Sequence, residues 1–389
     1  MQNKKSFFMG LAAGAVLMLV VVMTASISTT RARWGEHARP DMKITEILML
    51  LERHSIIPFD TADLLTGMYR GLLGAVDDPY TQYFDAVALE AFRIRTDGVF
   101  GGIGVDSFMD NGVLTIANVF PGAPAEAAGL LPGDRIVAVD GVEVVDMEQS
   151  DINTRIRGPE GTTVRLAIER DGARFIVDVT RATIILPTVS HEMVEDDTGL
   201  IRISGFDRMT PGQFYTALTA LTAQGMTALV IDVRNNPGGL MPAVVNITNH
   251  LVPEGIITYT ELADGRREYY RATAGQLGLP LAILVNGGSA SASEILAGAV
   301  QDTGAGIIVG TQTFGKGIVQ NLMHLSDGNA IKTTTARYFT PNGTSIHGVG
   351  VTPCLVVPMA EELAVRAAAL PFEEDVQLQA AVAQLRRVR

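Results

Sequence analysis

Apolar and polar positions change their spacing several times along the chain. Residues 7–27 form an uncharged run of 21 residues, long enough to cross a bilayer core of about 30 Å at about 1.5 Å per residue. Over residues 42–92 the apolar positions recur at three and four, as at Ile44, Ile47, Leu48 and Leu51. They do so again over 62–73 after Pro58, which predicts packing helices. Asp77, Asp78 and Pro79 end the second helix, and residues 80–84 lead into a third short segment. Residues 98–104 contain four glycines, and short alternating or apolar runs follow at 113–119, 135–139, 163–168 and 174–179. These read as strands with short helices at 124–128 and 147–156, a β-rich unit of about 85 residues.

Past residue 182 the pattern becomes strand, loop and helix, repeated. Strands are predicted over 200–203, 228–233, 281–285 and 305–309, and helices over 211–221, 241–251 and 291–300. Residues 318–325 and 330–338 flank Ser326-Asp-Gly-Asn329, a hairpin signal. Residues 360–389 read as an amphipathic, helical stretch with a basic, solvated tip. The larger half is therefore α/β.

Composition narrows the class. The 389 residues are 47% hydrophobic and 19% charged, too apolar for a disordered chain and too mixed for a polytopic membrane protein. The 30 basic and 42 acidic residues give a net charge of −12, which argues against nucleic-acid binding. The single cysteine, Cys354, excludes an intramolecular disulfide and a cysteine-based zinc site. Lys4 and Lys5 precede the apolar run and favour an inside start, although Arg31 and Arg33 blunt the bias. The residues after Met23 offer only weak small-x-small sites, so an uncleaved anchor is favoured over a signal peptide. The expected location is the cell envelope, on the periplasmic side and anchored to the inner membrane.

Three motifs in the α/β half offer chemistry. In Asn286-Gly-Gly-Ser-Ala-Ser-Ala-Ser-Glu294, serines alternate with alanines before a helix whose amino terminus can stabilise a developing anion. The plainer reading is a capping box from Ser291 to Glu294. In Thr313-Phe-Gly-Lys-Gly-Ile-Val-Gln320, a strand would put Lys316, Ile318 and Gln320 on one face. A lysine desolvated between glycines can accept a proton near neutral pH; otherwise it is a surface lysine in a turn. In Asp232-Val-Arg-Asn-Asn-Pro-Gly-Gly239, paired glycines can turn backbone N–H groups outward as an oxyanion hole requires, or make an ordinary tight turn. None of the six histidines falls in a glycine-rich strand end, with His347 the only weak candidate. No paired His or Cys spacing suits a metal, so no cofactor or metal is expected.

Taken in order, these motifs resemble the carboxyl-terminal processing proteases, the tail-specific serine peptidases of family S41 with a Ser/Lys dyad. Phe100-Gly-Gly-Ile-Gly-Val105, Asp77-Asp-Pro-Tyr-Thr, Pro124-Ala-Glu-Ala-Ala-Gly-Leu, Gly133-Asp-Arg-Ile and Thr334-Thr-Ala-Arg-Tyr-Phe-Thr-Pro-Asn-Gly extend the match. The resemblance implies Ser291 as nucleophile, Lys316 as general base and Gln320 as the residue that orients the lysine. Backbone N–H groups of Ala292 and of Gly238 or Gly239 would form the oxyanion hole. The separation of 25 residues, 316 minus 291, leaves room for a helix and a returning strand.

The same resemblance implies a crotonase/ClpP-like β/α core over 184–358 and a PDZ domain over 97–183. It also implies a helical segment over 40–95, an anchor or signal over 1–30 and a helical tail over 359–389. Gly102, Ile103, Gly104 and Val105 would be the PDZ loop that holds a chain end with apolar residues, and Arg157 matches a regulatory position coupling that domain to the protease. Protein substrates are the expected partners, together with an adaptor or activator, the membrane and a second copy of the chain. Cys354 stands where relatives commonly carry aspartate. The competing readings are a catalytically silent PDZ adaptor, against which Ser291, Lys316 and Gln320 all speak, and a hydratase-like or acyl-transferring enzyme, against which the PDZ insertion and the lysine speak.

Overall fold

The computed structural model of the chain describes residues 40–195, 197–273 and 275–388. The apolar run at 7–27 lies outside them, and among the described residues no helix is long and apolar enough to cross a membrane. The chain forms two units that divide after Met68. The first contains the helix Pro40–His54 and the start of the helix Thr61–Gly74, which continues across the division.

The second unit is organised around a parallel sheet. Its strands run in the order Val189–Val194, Thr198–Ile203, Ala228–Asp232, Leu281–Val285, Ile307–Gly310 and Leu355–Val356, with only the first antiparallel to its neighbour. Every residue of Ala228–Asp232 and of Leu281–Val285 is buried, as expected for strands covered on both faces. Side-chain alternation divides them between two cores. Leu229, Ile231, Leu281, Ile283 and Val285 pack with residues of the helices Thr210–Ala223, Met241–Thr248 and Ala292–Thr303. Ala228, Val230, Ala282 and Leu284 pack with Leu378, Ala381, Val382 and Leu385 of the helix Val376–Arg387.

A second, antiparallel sheet holds the predicted hairpin, Ile318–His324 and Ala330–Phe339, together with Gln82–Phe84, Gly255–Leu262 and Arg267–Ala272. The last two strands escape the apolar pattern because Arg267–Ala272 is exposed at most of its positions. The β-rich unit has its own sheet, Val105–Asp110, Val113–Val119, Arg135–Val139, Thr163–Arg170 and Ala173–Thr180, packed around Leu114, Ile116, Ile136, Ile152, Leu166 and Ile168. It joins the rest through two paired strands, Val99–Gly102 and Ala182–Ile185.

The helical stretch expected over 360–389 is present but interrupted. Glu361–Ala364 and the 3-10 turn Ala367–Ala369 precede Val376–Arg387. Pro371 holds Leu370 in an extended conformation, ψ 138°, and Asp375 restarts the helix by accepting the N–H groups of Gln377 and Leu378. This tail is fixed by charge as well as by packing. The Arg234 guanidinium, fully buried, reaches Asp232 at 2.7 Å and Asp375 at 2.6 Å, with Gln377 Oε1 accepting a further bond at 3.1 Å. Burial acts against the charge, but the two carboxylates outweigh it and hold Arg234 firmly protonated.

Replacing Arg234 by Met would leave the buried Asp375 carboxylate without its cation and Asp232 with only the more distant Arg202, at 4.0 Å. Destabilisation by about 3–5 kcal/mol is expected, read as a fall in the denaturant midpoint. An unchanged midpoint would show that the pair contributes no net stability.

Candidate active site

The parallel strands deliver three loops to their carboxyl edge, the side on which open α/β sheets bind ligands. The loop after Val285 is stitched to the loop after Asp232. Asn286 Oδ1 accepts the N–H groups of Asn235 and Gly288 at 2.9 and 3.0 Å. Ser289 Oγ donates to Val233 O at 2.7 Å, and Ser293 Oγ donates to Asn236 O at 2.9 Å. These bonds deliver Ser291 as the N-cap of Ala292–Thr303 at φ 54°, ψ −112°. Such a conformation costs a non-glycine residue about 1–3 kcal/mol and persists only where its surroundings over-determine it.

Glu294 is a large part of those surroundings. Its fully buried carboxylate accepts four bonds. Thr313 Oγ1 and Gly315 N–H donate to Oε1 at 2.6 and 2.7 Å. Ser291 N–H and Lys316 N–H donate to Oε2 at 2.8 and 2.9 Å. Residues 291 and 316 are thus pinned at one oxygen atom. Tyr338 Oη joins them again on the carbonyl side, its hydroxyl shared between Lys316 O at 2.7 Å and Ser291 O at 2.9 Å. Burial, then the Glu294 charge, push the Tyr338 hydroxyl well above its ordinary pKa, so it remains a donor.

Lys316 precedes the strand Ile318–His324, and the ladder shifts register between Val319 and Gln320. The simple alternation expected for Lys316, Ile318 and Gln320 therefore does not hold, because the lysine lies in the loop and a bulge intervenes. Side-chain reach restores the contact: Lys316 Nζ donates to Gln320 Oε1 at 3.1 Å, and Gln320 Nε2 donates to Tyr80 O at 2.6 Å. Burial lowers the Lys316 pKa and Arg95 lowers it further, against the pull of the Asp78 carboxylate. Among the hydrogen bonds of the described residues, none joins Lys316 Nζ to Ser291.

The two candidate oxyanion glycines differ. Gly238 approaches Ser291 so closely that an added Cβ would lie 2.8 Å from the serine Cβ, but its N–H already donates to Asn236 Oδ1 at 2.8 Å. Gly239, at φ 146°, has its Cα against the Phe206 backbone. Among the described residues, neither its N–H nor that of Ala292 has an acceptor.

In the β-rich unit, Gly102 ends one strand and Val105 begins the next. Ile103 and Gly104 are buried between them, their carbonyls accepting the N–H groups of Ala125 and Phe120. An added Cβ at Gly104, φ 78°, would overlap the Ala123 methyl group. Val105–Asp110 is an edge strand, and Gln149, the first residue of the helix Gln149–Ile156, donates to Ser107 O on it at 2.9 Å. Arg157 is not brought to Ser291 or Lys316. Its guanidinium stacks over Phe100 at 4.8 Å, and burial lowers its pKa while Glu90 raises it.

Sequence reasoning passed over Glu294 and Tyr338 as chemistry. The capping-box spacing was the signal for the first, and the Thr-Thr-Ala-Arg-Tyr motif for the second.

A model of peptidase family S41 matches residues 197–357, and a PDZ-domain model matches residues 115–170. The carboxy-terminal processing protease CtpB of Bacillus subtilis is 34% identical over 341 residues, covering 86% of this chain and 71% of that protein. A carboxyl-terminal-processing protease of a Picosynechococcus species is 36% identical over 333 residues, covering 84% and 80%. A solved protein from Bacteroides fragilis described as an S41 protease covers 86% of this chain and 93% of its own, with a TM-score of 0.51 at 16% identity, a likeness of fold alone. Together with the two matched models, identities of this size over most of both chains mean that this protein belongs to the carboxy-terminal processing proteases, serine peptidases of family S41 that carry a PDZ domain.

Proposed function

We propose that the protein is an endopeptidase that selects proteins by their carboxyl-terminal tails and cuts them with a Ser291/Lys316 dyad. The observation that carries this reading is the pair of clamps on residues 291 and 316, made by Glu294 on their N–H groups and by Tyr338 on their carbonyls. Neutral Lys316 takes the Ser291 hydroxyl proton as Oγ bonds to the scissile carbonyl carbon. The oxyanion is met by the N–H groups of Gly239 and Ala292, with Gly238 kept on Asn236. Collapse breaks the C–N bond, Lys316 returns the proton to the leaving amine, and water hydrolyses the acyl-enzyme. Gln320 orients the amine throughout. The parallel sheet with helices on one face and the tail helix on the other supports a crotonase/ClpP-like description of the core.

For recognition, a substrate tail would add to the edge strand Val105–Asp110 after displacing Gln149, with its carboxylate on the N–H groups of the 102–105 loop. Arg157, between the PDZ helix and the linker strand that holds Phe100, is read as a coupling residue. The uncharged run at 7–27 supports an anchor in the inner membrane, with the peptidase on the periplasmic side.

Ser291→Ala and Lys316→Ala should each lower kcat on an unstructured protein with an apolar tail by about a thousandfold or more, and either variant cutting at the parent rate would end the dyad reading. Amidating the substrate's terminal carboxylate should slow cleavage roughly tenfold by removing a charge-assisted contact; equal rates for acid and amide would remove the PDZ loop from recognition. Protein isolated from membranes should keep its original amino terminus and need detergent for release, whereas a terminus starting near residue 26–30 would mean a cleaved signal.

A further inference from the structure

The Lys316 amine meets two opposed environments. Besides Gln320, it lies 4.6 Å from the centroid of the Tyr80 ring, and the charge of Asp78 acts on it. Both come from one turn, residues 77–81, which is internally tied: Asp78 Oδ1 accepts Tyr80 N–H at 3.0 Å, and Asp78 Oδ2 accepts Thr81 Oγ1 at 2.7 Å. Burial pushes the Asp78 carboxyl up, but these bonds and the Lys316 charge outweigh it, so it is held below its ordinary value.

The other charged and titratable groups around the amine come from three elements. Arg95 of the helix Ala86–Asp97 and Lys332 of the strand Ala330–Phe339 are cations that disfavour a further positive charge. Tyr338 on the same strand meets the Lys316 carbonyl, and Glu294 meets its backbone N–H. Neither contact is with the amine. Lys332 is itself held over Phe84 and Phe92, at 5.4 and 5.7 Å.

We propose that Tyr80 and Asp78 are positioning residues that hold the protonated Lys316 amine on Gln320 and away from Ser291, so that the turn 77–81 sets the pH at which the dyad becomes competent. The inference rests on Lys316 being the general base. An aromatic face attracts an ammonium but has little hold on a neutral amine, and a carboxylate discriminates in the same direction. Loss of one proton therefore weakens the ring contact and the attraction of the Asp78 charge at once and frees the amine to accept from the serine hydroxyl. Burial and Arg95 work the other way and keep the required pH below that of an ordinary lysine.

The test is the pH dependence of kcat/KM, whose acidic limb reports the base in the free enzyme. In the parent the rate rises with pH as Lys316 deprotonates. Tyr80→Leu removes a group that favours the ammonium, so the limb should move down by roughly one pH unit, and rates on the acidic side should rise up to about tenfold. Tyr80→Phe keeps the ring face and should keep the parent limb. Both variants retain the Tyr80 carbonyl that holds Gln320. Asp78→Asn keeps an acceptor for Tyr80 N–H and should also move the limb down. A Tyr80→Leu limb that stays in place or moves up, with only the plateau lowered, would show a structural role alone and overturn the inference. Lys316→Ala separates the two ideas: cleavage that persists in that variant refutes Lys316 as base, whereas an inactive Lys316→Ala beside an unmoved Tyr80→Leu limb refutes only the role of the turn.

Discussion

A single buried carboxylate organises the catalytic end of this molecule. An ionised side chain with no solvent exposure survives only when its acceptor sites are filled, and Glu294 has four donors on its two oxygens. Because every partner is a donor, an amide could serve only some of them; its own N–H₂ would face N–H groups. The geometry that satisfies the carboxylate is also the geometry that chemistry needs. It starts the helix Ala292–Thr303, holds Ser291 in its strained conformation and draws the 313–316 segment to that serine. The burial cost of the charge and the strain at Ser291 are met by the same four bonds.

That arrangement depends on a rigid edge of the parallel sheet. Strands buried on both faces tolerate only apolar side chains, so polar residues begin abruptly where the strands end. There Asn235, Asn236, Asn286, Ser289 and Ser293 consume one another's hydrogen-bonding groups and those of the adjacent backbone. Asn235 extends the network outward by donating to Ala364 O and Val365 O, and Arg234 extends it to Asp375. The tail therefore braces the loop that carries Gly239 rather than merely covering the sheet. Against so many satisfied groups, the unclaimed N–H groups of Gly239 and Ala292 stand out as sites for a transient negative charge.

The parallel strands, the hairpin, the serine-rich loop before Ala292 and the glycine-rich segments were legible because each rests on local pattern: continuous apolar runs, a four-residue polar turn, small residues at a strand end. The interruption of the helical tail was not legible because an apolar stripe persists through 360–389 while Pro371 and Asp375 break the backbone. Other features are set by contacts distant in sequence. Glu294 was visible as a cap, but a capping box says nothing of Thr313 or Gly315, 19 and 21 residues away. The bond from Gln320 to Tyr80 crosses 240 residues, and no spacing rule reaches that far. That the Gly238 N–H is taken while that of Gly239 is not follows from its donation to Asn236 Oδ1, which backbone pattern does not encode.

The position of the PDZ insertion gives these distant contacts a common frame. Of its paired linker strands, Val99–Gly102 and Ala182–Ile185, the first begins directly after Gly98, whose Cα lies against Asp207. The neighbouring Phe206 donates to Gly238 O at 3.0 Å and accepts Leu240 N–H at 2.6 Å, so one end of the linker abuts the loop that bonds to the oxyanion segment. At that same end the linker continues from Ala86–Asp97, the helix that carries Arg95 and Glu90, and Arg157 of the PDZ unit stacks over Phe100 in the linker itself. The insertion is thus attached at once to the element that borders the oxyanion loop and to the element whose cation disfavours charge on Lys316. A domain joined elsewhere in the fold would touch one of these or neither. The PDZ unit is thus built into the parts that border both the loop carrying Gly239 and the Lys316 amine, and its Arg157 meets the linker rather than either of them.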